Sequence, residues 1–309
     1  MKGERPVVPD ARFESYYGRP VLKRPVWKQP DVPLYLFLGG AAGTSAMLAE
    51  GAALAGLPGL ERVTRVAAAT GAGLGTVALV HDLGRPERFL NMLRVFKPTS
   101  PLSIGSWILA PFAATSATAA LSNVTGFARP LGRLAGVGAA LLGPPLTTYT
   151  AALICNTAVP AWHEAYREMP FLFAGSGATA AAGIAIAAAP LGETSPARRL
   201  AVAGAAAELV MTERIRQRLG MLAQPYHQGK AGAMMKTARA LTVAGAVGGA
   251  VGGRSRLLST VSGAALVAGS VLTRFGVFNA GLASADDPKY TVVPQRERLT
   301  HKDPTLSRP

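Results

Sequence analysis

Long apolar segments separated by short polar ones dominate the chain. Each runs over about 20 residues, the length that an α-helix needs to cross the hydrocarbon core of a bilayer. The pattern predicts eight spans, roughly at residues 33–57, 61–82, 103–124, 131–157, 169–190, 199–219, 237–253 and 257–280. Alanine and glycine are abundant in all of them, as expected of helices that pack closely in lipid. We therefore expect an all-α polytopic membrane protein.

The spans suggest two four-helix bundles flanked by tails. Residues 1–32 are polar and proline-rich and lack the apolar core of a cleavable signal peptide, so this tail should stay where it is synthesised. Span 1 opens with Pro33-Leu-Tyr-Leu-Phe-Leu-Gly-Gly and span 5 with Met169-Pro-Phe-Leu-Phe-Ala-Gly-Ser, a faint parallel repeat. We predict an N-terminal tail at 1–32, a first bundle at 33–157, a second at 158–280 and a C-terminal tail at 281–309.

The distribution of basic residues predicts the orientation. The net charge is +15, yet only 16% of the 309 residues are charged. With eight spans, 23 of the 32 lysines and arginines fall on the side of the two tails, and eight fall on the opposite side. The positive-inside rule then places both termini in the cytoplasm and the protein in the cell (inner) membrane. The basic balance reflects topology and anionic lipid, and not nucleic acid.

The cysteine and histidine inventory excludes several cofactors. Cys155 is the only cysteine, and an iron–sulfur cluster needs about four thiolates, so this chain alone holds no cluster. His81, His163, His227 and His301 lie at a span end, in loops and in a tail, which does not suit haem ligation between spans. No usable spacing for a metal site is present.

Four ionisable residues fall within spans, where they are costly and usually functional. Glu213 in span 6 and Arg274 in span 8 lie at similar depth and are predicted to form a structural pair. Glu50 in span 1 and Glu208 in span 6 lack an obvious basic partner and are proton-relay candidates. A neutral carboxyl group that hydrogen-bonds a neighbouring backbone is the other interpretation.

A charged cluster closes span 2, where His81, Asp82, Arg85, Glu87 and Arg88 fall within a stretch of eight residues. Polar and aromatic residues stand at the same predicted depth at the ends of spans 1, 3 and 4. A quinone head group needs hydrogen bonds and a proton donor or acceptor, and its tail needs an apolar slot. We predict that His81 and Asp82 exchange protons with the quinone and that Arg85 orients it. The predicted quinone site comprises Tyr35, His81, Asp82, Arg85, Trp107 and Asn156. For Trp107, simple interfacial anchoring is the alternative.

The sequence resembles the NrfD-like family, the membrane subunits of polysulfide reductase and related iron–sulfur molybdoenzyme complexes. The likeness covers residues 13–298 and rests on the opening of span 1, on His81-Asp-Leu-Gly-Arg-Pro-Glu-Arg-Phe89 and on Pro98-Thr-Ser-Pro-Leu-Ser-Ile-Gly105. The tracts at 15–23 and 287–298 resemble an actinobacterial branch that is often grouped with formate-dehydrogenase-like proteins.

The resemblance implies a haem-free, quinone-reactive anchor that is not catalytic alone. It would exchange electrons between a four-cluster ferredoxin-like subunit, linked to a molybdopterin or tungstopterin catalytic subunit, and the menaquinone or ubiquinone pool. It also implies a role for Glu50 and Glu208 in proton movement. The best-known relatives dock their catalytic subunits outside, whereas the charge bias here favours a cytoplasmic partner. We expect docking on the tails, on the 220–236 loop and on an extended stretch beginning at Tyr290, which would add to a partner's sheet.

Two other functions compete with this hypothesis. A small-molecule or ion transporter would explain the repeat, the buried carboxylates and a fourth span broken at Pro144-Pro145. A purely structural anchor would explain the apolar bulk, but it leaves the charged cluster at residues 81–88 without a role.

Overall fold

A computed structural model describes residues 21–85 and 87–302, and helices are the regular structure throughout them. Eight helices are long and three are short. They are α1 (Asp31–Leu54), α2 (Pro58–Asp82), α3 (Arg88–Met92), α4 (Pro101–Thr125), α5 (Arg129–Cys155), α6 (Pro160–His163), α7 (Met169–Ala188), α8 (Ser195–Leu219), α9 (Gly229–Val251), α10 (Arg256–Asp286) and α11 (Lys289–Lys302). Short 3₁₀ segments lie at Leu191–Glu193 and Gly220–Tyr226.

Local sequence signals set the helix ends. Proline occupies the first turn of α2, α4 and α5, where its missing N–H has no intrahelical acceptor to lose. The Ser100 side chain caps α4 by accepting the Ser103 N–H at 3.5 Å. Gly126 ends the same helix in the left-handed region with φ 76°, a conformation that glycine adopts without strain.

The long helices form two rings with the same packing order. In the first ring α1 packs against α2 and α5, and α4 packs against the same two helices. In the second ring α7 packs against α8 and α10, and α9 packs against the same two. The first helices of the two rings, α1 and α7, also contact each other. The order of packing is therefore that of a four-plus-four repeat, and it extends the faint likeness between the openings of spans 1 and 5.

Glycines bring the backbones of the central helices together. A Cβ on Gly43 of α1 would lie 2.6 Å from the carbonyl oxygen of Gly143 in α5. A Cβ on Gly177 of α7 would lie 2.9 Å from the carbonyl oxygen of Gly40 in α1. Side chains are thus excluded from both crossings, which is the usual basis of close helix association in lipid.

The structure confirms an all-helical, multi-pass membrane protein. Among the described residues, six helices are long and apolar enough to cross a bilayer: α1, α2, α4, α5, α7 and α10. Charged residues at the ends of α8 and α9 keep these two outside that set, so the count of eight spans stays a prediction. The two-bundle boundaries also stay a prediction, although α10 continues past residue 280 to Asp286.

Three sequence-based expectations about local structure are wrong. Helix α5 continues through Pro144-Pro145, so the fourth span is not broken. The 220–236 region is mostly helical, because α9 already begins at Gly229. The stretch that begins at Tyr290 is part of α11 and not an extended strand. Its aromatic ring is buried, and its hydroxyl donates to Gln224 Oε1 at 3.4 Å, so it offers no free edge to a partner's sheet.

The eight long helices define two ends of the molecule. The tail-side end holds the first residues of α1, α4, α7 and α9 and the last residues of α2, α5, α8 and α10. The far end holds the opposite termini of the same helices. Of the predicted docking tails, residues 1–20 and 303–309 lie outside the described residues.

Replacing Gly43 with alanine should destabilise the fold, because the new methyl group must enter the crossing of α1 and α5. Overpacking of this kind costs about 1–3 kcal/mol. The matched control is Gly73→Ala, since a Cβ on Gly73 meets nothing within 4 Å. Thermal unfolding in detergent should show a lower midpoint for Gly43→Ala and an unchanged or slightly higher one for Gly73→Ala. Equal midpoints would show that the crossing tolerates a side chain.

Candidate functional site

A histidine–carboxylate pair joins the tail-side ends of α1 and α2. Nδ1 of His81 lies 2.7 Å from Oδ2 of Asp31. The His81 side chain is 73% exposed, whereas that of Asp31 is only 14% exposed. When the carboxylate accepts a hydrogen bond from the Nδ1 N–H, it fixes the orientation of the ring and leaves Nε2 to exchange a proton with a bound molecule.

Asp82, the next residue, has a different contact. Its Oδ1 accepts the backbone N–H of Lys28 at 2.9 Å, and the Lys28 ammonium group donates to the carbonyl oxygen of His81 at 3.4 Å. Asp82 therefore ties the segment before α1 to the end of α2. Asp31 lies just before predicted span 1, and its pairing with His81 was not predicted from the sequence.

Tyr35 lies one turn below Asp31, inside the first ring. Its ring is buried and meets the ring of Tyr149 edge-on, with centroids 6.4 Å apart. Gly105 on α4 leaves the space for Tyr149, since a Cβ there would collide with that ring. The two tyrosines thus form the aromatic layer beneath the His81–Asp31 pair.

The remaining predicted residues do not close a pocket over His81. Trp107 is 43% exposed and packs edge-on against Phe96 at 5.8 Å, as an interfacial aromatic residue does. The side chains of Arg85 and Asn156 are exposed, and the Asn156 backbone N–H caps α5. None of five well-formed cavities in the described part of the chain is lined by these residues, by His81 or by Tyr35.

An apolar groove of about 470 Å³ runs along α1, α2 and α7. Its lining consists mainly of small and aliphatic side chains: Phe37, Leu38, Ala41, Arg62, Val63, Val66, Ala67, Thr70, Gly71, Leu74, Ile184 and Ala188. Leu74 precedes His81 by seven residues and Leu38 follows Asp31 by seven. Seven residues are about two helical turns, so His81 and Asp31 lie on the same helix faces as these lining residues and about 10 Å beyond them.

Trp162 is a core residue and not an interfacial anchor. It is fully buried, its ring stacks on Trp27 at 5.7 Å, and it meets Phe278 at 5.5 Å. Its Nε1 donates to the carbonyl oxygen of Val277 at 2.8 Å. Gly281 leaves the room, because a Cβ there would collide with the indole. Through Trp27, the segment before α1 therefore packs against Trp162, which in turn contacts α10.

We define the tail-side platform as residues 21–30, 156–168, 220–228 and α11. Ion pairs join its parts to the helices beneath. Arg218 of α8 binds both oxygens of the buried Glu168 at 2.6 Å. Arg298 of α11 binds Glu164 at 2.5 Å, and Arg24 lies 3.6 Å from Asp286.

The predicted pair of Glu213 and Arg274 is wrong. Glu213 is partly exposed and binds Arg216, one turn later on α8. Arg274 is fully buried, and its Nη2 donates to the carbonyl oxygen of Phe173 at 2.7 Å. Its guanidinium carbon lies 3.7 Å from the centroid of the Phe173 ring. Thr273, the residue before Arg274, donates to Glu208, so Arg274 lies near the level of Glu208 and deeper than Glu213.

Glu208 is buried among hydroxyl groups. Its carboxylate accepts hydrogen bonds from Thr273 at 2.5 Å and from Thr179 at 3.3 Å. It lines a cavity of about 320 Å³ between α8, α9 and α10, with His227 and Lys236 among the other lining residues. Burial and the nearby Arg216 lower the pKa of His227 below its usual value of 6.5, so this ring is mainly neutral at pH 7.

Glu50 does have a basic partner, contrary to expectation. Its Oε2 lies 3.2 Å from Nη2 of Arg65, one helix away on α2. Arg65 also binds Glu61, four residues earlier, at 2.7 Å. The sequence showed Arg65 near the start of span 2, but it did not show that its side chain turns inward toward α1.

Comparison with known proteins gives one result. A protein-family model described as "Polysulphide reductase, NrfD" matches residues 21–284. No curated protein matches the chain. The matched range includes all eight long helices except the last residues of α10, together with the His81–Asp31 pair and the groove. A transporter function is not favoured by this match.

Removing Arg218 should loosen the tail-side platform, because Glu168 would keep a buried charge without its bidentate partner. We expect Arg218→Ala to lower the thermal midpoint in detergent by several degrees. The control is Arg214→Ala, an exposed arginine on the same helix. If both variants melt alike, the ion pair contributes little and the platform is held by its aromatic contacts.

Proposed function

Because the chain belongs to the NrfD (polysulphide reductase) family, we propose that it is the quinone-reactive membrane subunit of a polysulphide-reductase-like oxidoreductase complex. In this role it exchanges electrons between a partner iron–sulfur subunit and the membrane quinone pool. One observation carries the quinone part of the proposal. The His81–Asp31 pair stands in line with an apolar groove that opens between α1, α2 and α7.

The pair has the chemistry that a quinone head group requires. A quinone, when bound, takes up protons at its two carbonyl oxygens together with electrons. Nε2 of His81 donates a proton to such an oxygen or accepts one from the reduced form. Asp31 accepts a hydrogen bond from the Nδ1 N–H, holds the ring in one tautomer and stabilises its protonated form. Asp82 holds the Lys28 segment beside the pair, and Arg85 supplies positive charge at the same helix end.

The groove has the properties that an isoprenoid tail requires. Its lining is apolar apart from Arg62 and Thr70, and its volume of about 470 Å³ lies within the range of pockets that hold drug-sized ligands. The head therefore enters from the side of the first ring, between α1 and α2. Trp107 and Asn156 lie outside this arrangement, since Trp107 packs against Phe96 and the Asn156 side chain is exposed.

The partner docks on the tail-side platform. The chain has one cysteine, so clusters must come from another subunit. The loop beside His81 carries exposed Arg85, Arg94 and Lys97, which suit an acidic partner surface. We propose a four-cluster ferredoxin-like subunit, and through it a molybdopterin or tungstopterin subunit, bound on the cytoplasmic side. Eight spans with both termini in the cytoplasm complete the proposed topology.

Proton movement is part of the same proposal. Glu208 lines the cavity between α8, α9 and α10, and the hydroxyls of Thr273 and Thr179 contact its carboxylate. A buried carboxylate in contact with hydroxyls and a cavity is a suitable relay group. Glu50, in contrast, is held in an ion pair with Arg65 and is a weaker candidate.

Substitutions in the His81–Asp31 pair should lower turnover without preventing assembly of the complex. His81→Ala should lower quinone-linked turnover of the purified complex about a hundredfold or more, because acid–base catalysis contributes at least that much. Asp31→Asn should lower turnover and shift its pH profile, since the protonated ring loses its carboxylate. Asp82→Asn keeps an oxygen for the Lys28 N–H, so it should remain closer to wild type.

The subunit composition of each variant, measured on the purified complex, is the control for assembly. Full turnover in both His81→Ala and Asp31→Asn would place the quinone site elsewhere. A larger loss of turnover in Asp82→Asn than in Asp31→Asn would indicate that Asp82 exchanges protons with the quinone.

Gentle detergent extraction should co-purify an iron–sulfur protein, seen by its visible absorption and by protein identification. The partner contacts the platform by hypothesis, so Arg218→Ala should weaken this association, and Arg214→Ala should not. A colourless single chain that moves a solute across liposomes would contradict the redox function.

A further inference from the structure

The far end of the first ring contains a basic cavity of about 570 Å³ between α2, α4 and α5. It is separate from the His81–Asp31 pair, which lies at the other end of the same helices, although Arg62 lines both this cavity and the apolar groove. Four arginines line it, namely Arg62, Arg65, Arg129 and Arg133, together with one carboxylate, that of Glu61. Basic residues are uncommon at this end, because only eight lysines and arginines lie on this side of the predicted spans. Half of them surround one cavity.

Arg65 forms the floor and is fully engaged. It is only 5% exposed, and its guanidinium group binds the carboxylates of Glu61 at 2.7 Å and Glu50 at 3.2 Å. Gly136 of α5 provides its space, since a Cβ there would collide with the guanidinium group. The charge of Arg65 is thus balanced within the protein, and the cavity's excess of positive charge comes from the other three arginines.

Arg62, Arg129 and Arg133 are exposed, and within residues 21–85 and 87–302 none has an ion pair or a hydrogen bond to protein. Arginines at the same end of the second ring are used differently. Arg198 donates to the carbonyl oxygen of Gly249 at 2.7 Å, and Arg256 donates to that of Ala189 at 2.7 Å. The second ring therefore uses Arg198 and Arg256 to cap helices and leaves Arg199 and Arg254 exposed. In the first ring, by contrast, the three arginines without a partner line one cavity, where they can bind an anion together.

Asn123 supplies a second recognition element in the cavity. Its Nδ2 donates to Glu61 Oε1 at 3.1 Å. Its Oδ1 is buried and has no hydrogen-bond partner in the described part of the chain. A buried carbonyl oxygen without a donor is unfavourable, so it suits a ligand that carries a hydroxyl group.

The surroundings of the cavity are apolar. Val124 is one of the lining residues and is exposed, and Phe127 in the α4–α5 turn is 80% exposed. Leu131 and Leu134 flank Arg133 on α5 and are exposed as well. A ligand here meets guanidinium groups at its head and aliphatic or aromatic side chains beside it.

We propose that this cavity binds the head group of an anionic phospholipid of the phosphatidylglycerol type. The phosphodiester accepts hydrogen bonds from Arg129, Arg133 and Arg62, which present the planar donor geometry that phosphate favours. A glycerol hydroxyl donates to Oδ1 of Asn123. The acyl chains lie against Phe127, Leu131 and Leu134.

The test compares lipid retention by two double variants of the detergent-solubilised full chain. Arg129→Gln/Arg133→Gln removes two charges from the cavity, and Arg199→Gln/Arg254→Gln removes two exposed charges at the same end of the second ring. We expect native mass spectrometry with added phosphatidylglycerol to show about tenfold less bound lipid in the cavity variant, as loss of charge-assisted hydrogen bonds implies. The control variant should bind as wild type does.

Two results would overturn the proposal. Equal retention by both double variants would show that binding follows total charge and not the cavity. Inorganic phosphate that raises the thermal midpoint as much as phosphatidylglycerol, and only in chains with intact Arg129 and Arg133, would assign the cavity to a free anion. The lysine variant Arg129→Lys/Arg133→Lys should restore part of the retention, which also shows that loss in the glutamine variant is not misfolding.

The hydroxyl contact has its own test. Phosphatidylmethanol has the same phosphodiester charge but lacks the head-group hydroxyls. The wild type should retain phosphatidylglycerol several-fold better than phosphatidylmethanol, and Asn123→Ala should retain the two equally, as expected for one lost hydrogen bond. An unchanged preference in Asn123→Ala would exclude this residue from head-group recognition.

Discussion

The close approach of α1 to α5 and α7 is the constraint on which the rest of the structure depends. At Gly43 and Gly143, and at Gly40 and Gly177, the backbones meet without intervening side chains. Apolar helices are as well solvated by lipid as by one another, so their association has to come from packing and from interhelical hydrogen bonds. Because α1 belongs to one ring and α7 to the other, these crossings fix the position of the rings relative to each other. The groove between α1, α2 and α7 is a direct result.

Small residues also decide where polar side chains enter the protein. Gly136 makes room for Arg65 and Gly40 for Arg274, so each guanidinium group lies where a methyl group is missing. The consequences differ. Arg65 finds two carboxylates and forms the floor of a basic cavity, whereas Arg274 finds a carbonyl oxygen and the face of Phe173. The buried charge of Arg65 is thus paired within the protein, whereas Nε and Nη1 of Arg274 are buried without a hydrogen-bond partner in the described part of the chain.

Much of the fold could be predicted from the sequence. Apolar segments of the right length gave the eight long helices, since helix formation in lipid is enforced by the need to satisfy every backbone group. The departures have physical causes. Tyr290 lies in a β-branched stretch, yet the ring is buried next to Gln224 and the segment is helical. Charges near the ends of α8 and α9 do not shorten the helices, but they keep both from being identified as spans by hydropathy.

The candidate site shows where sequence reasoning stops. The sequence by itself determined the helices, their order, the family and the depth of each polar residue, because apolar length and motif are properties of the chain. It could not give the rotation of one helix about another. Counting residues puts Glu213 and Arg274 in the same half of their helices, yet they bind different partners. His81 and Asp31, 50 residues apart in sequence, meet at 2.7 Å. Depth follows from counting residues, whereas contact depends on which face each helix turns to its neighbour, and only tertiary packing fixes that.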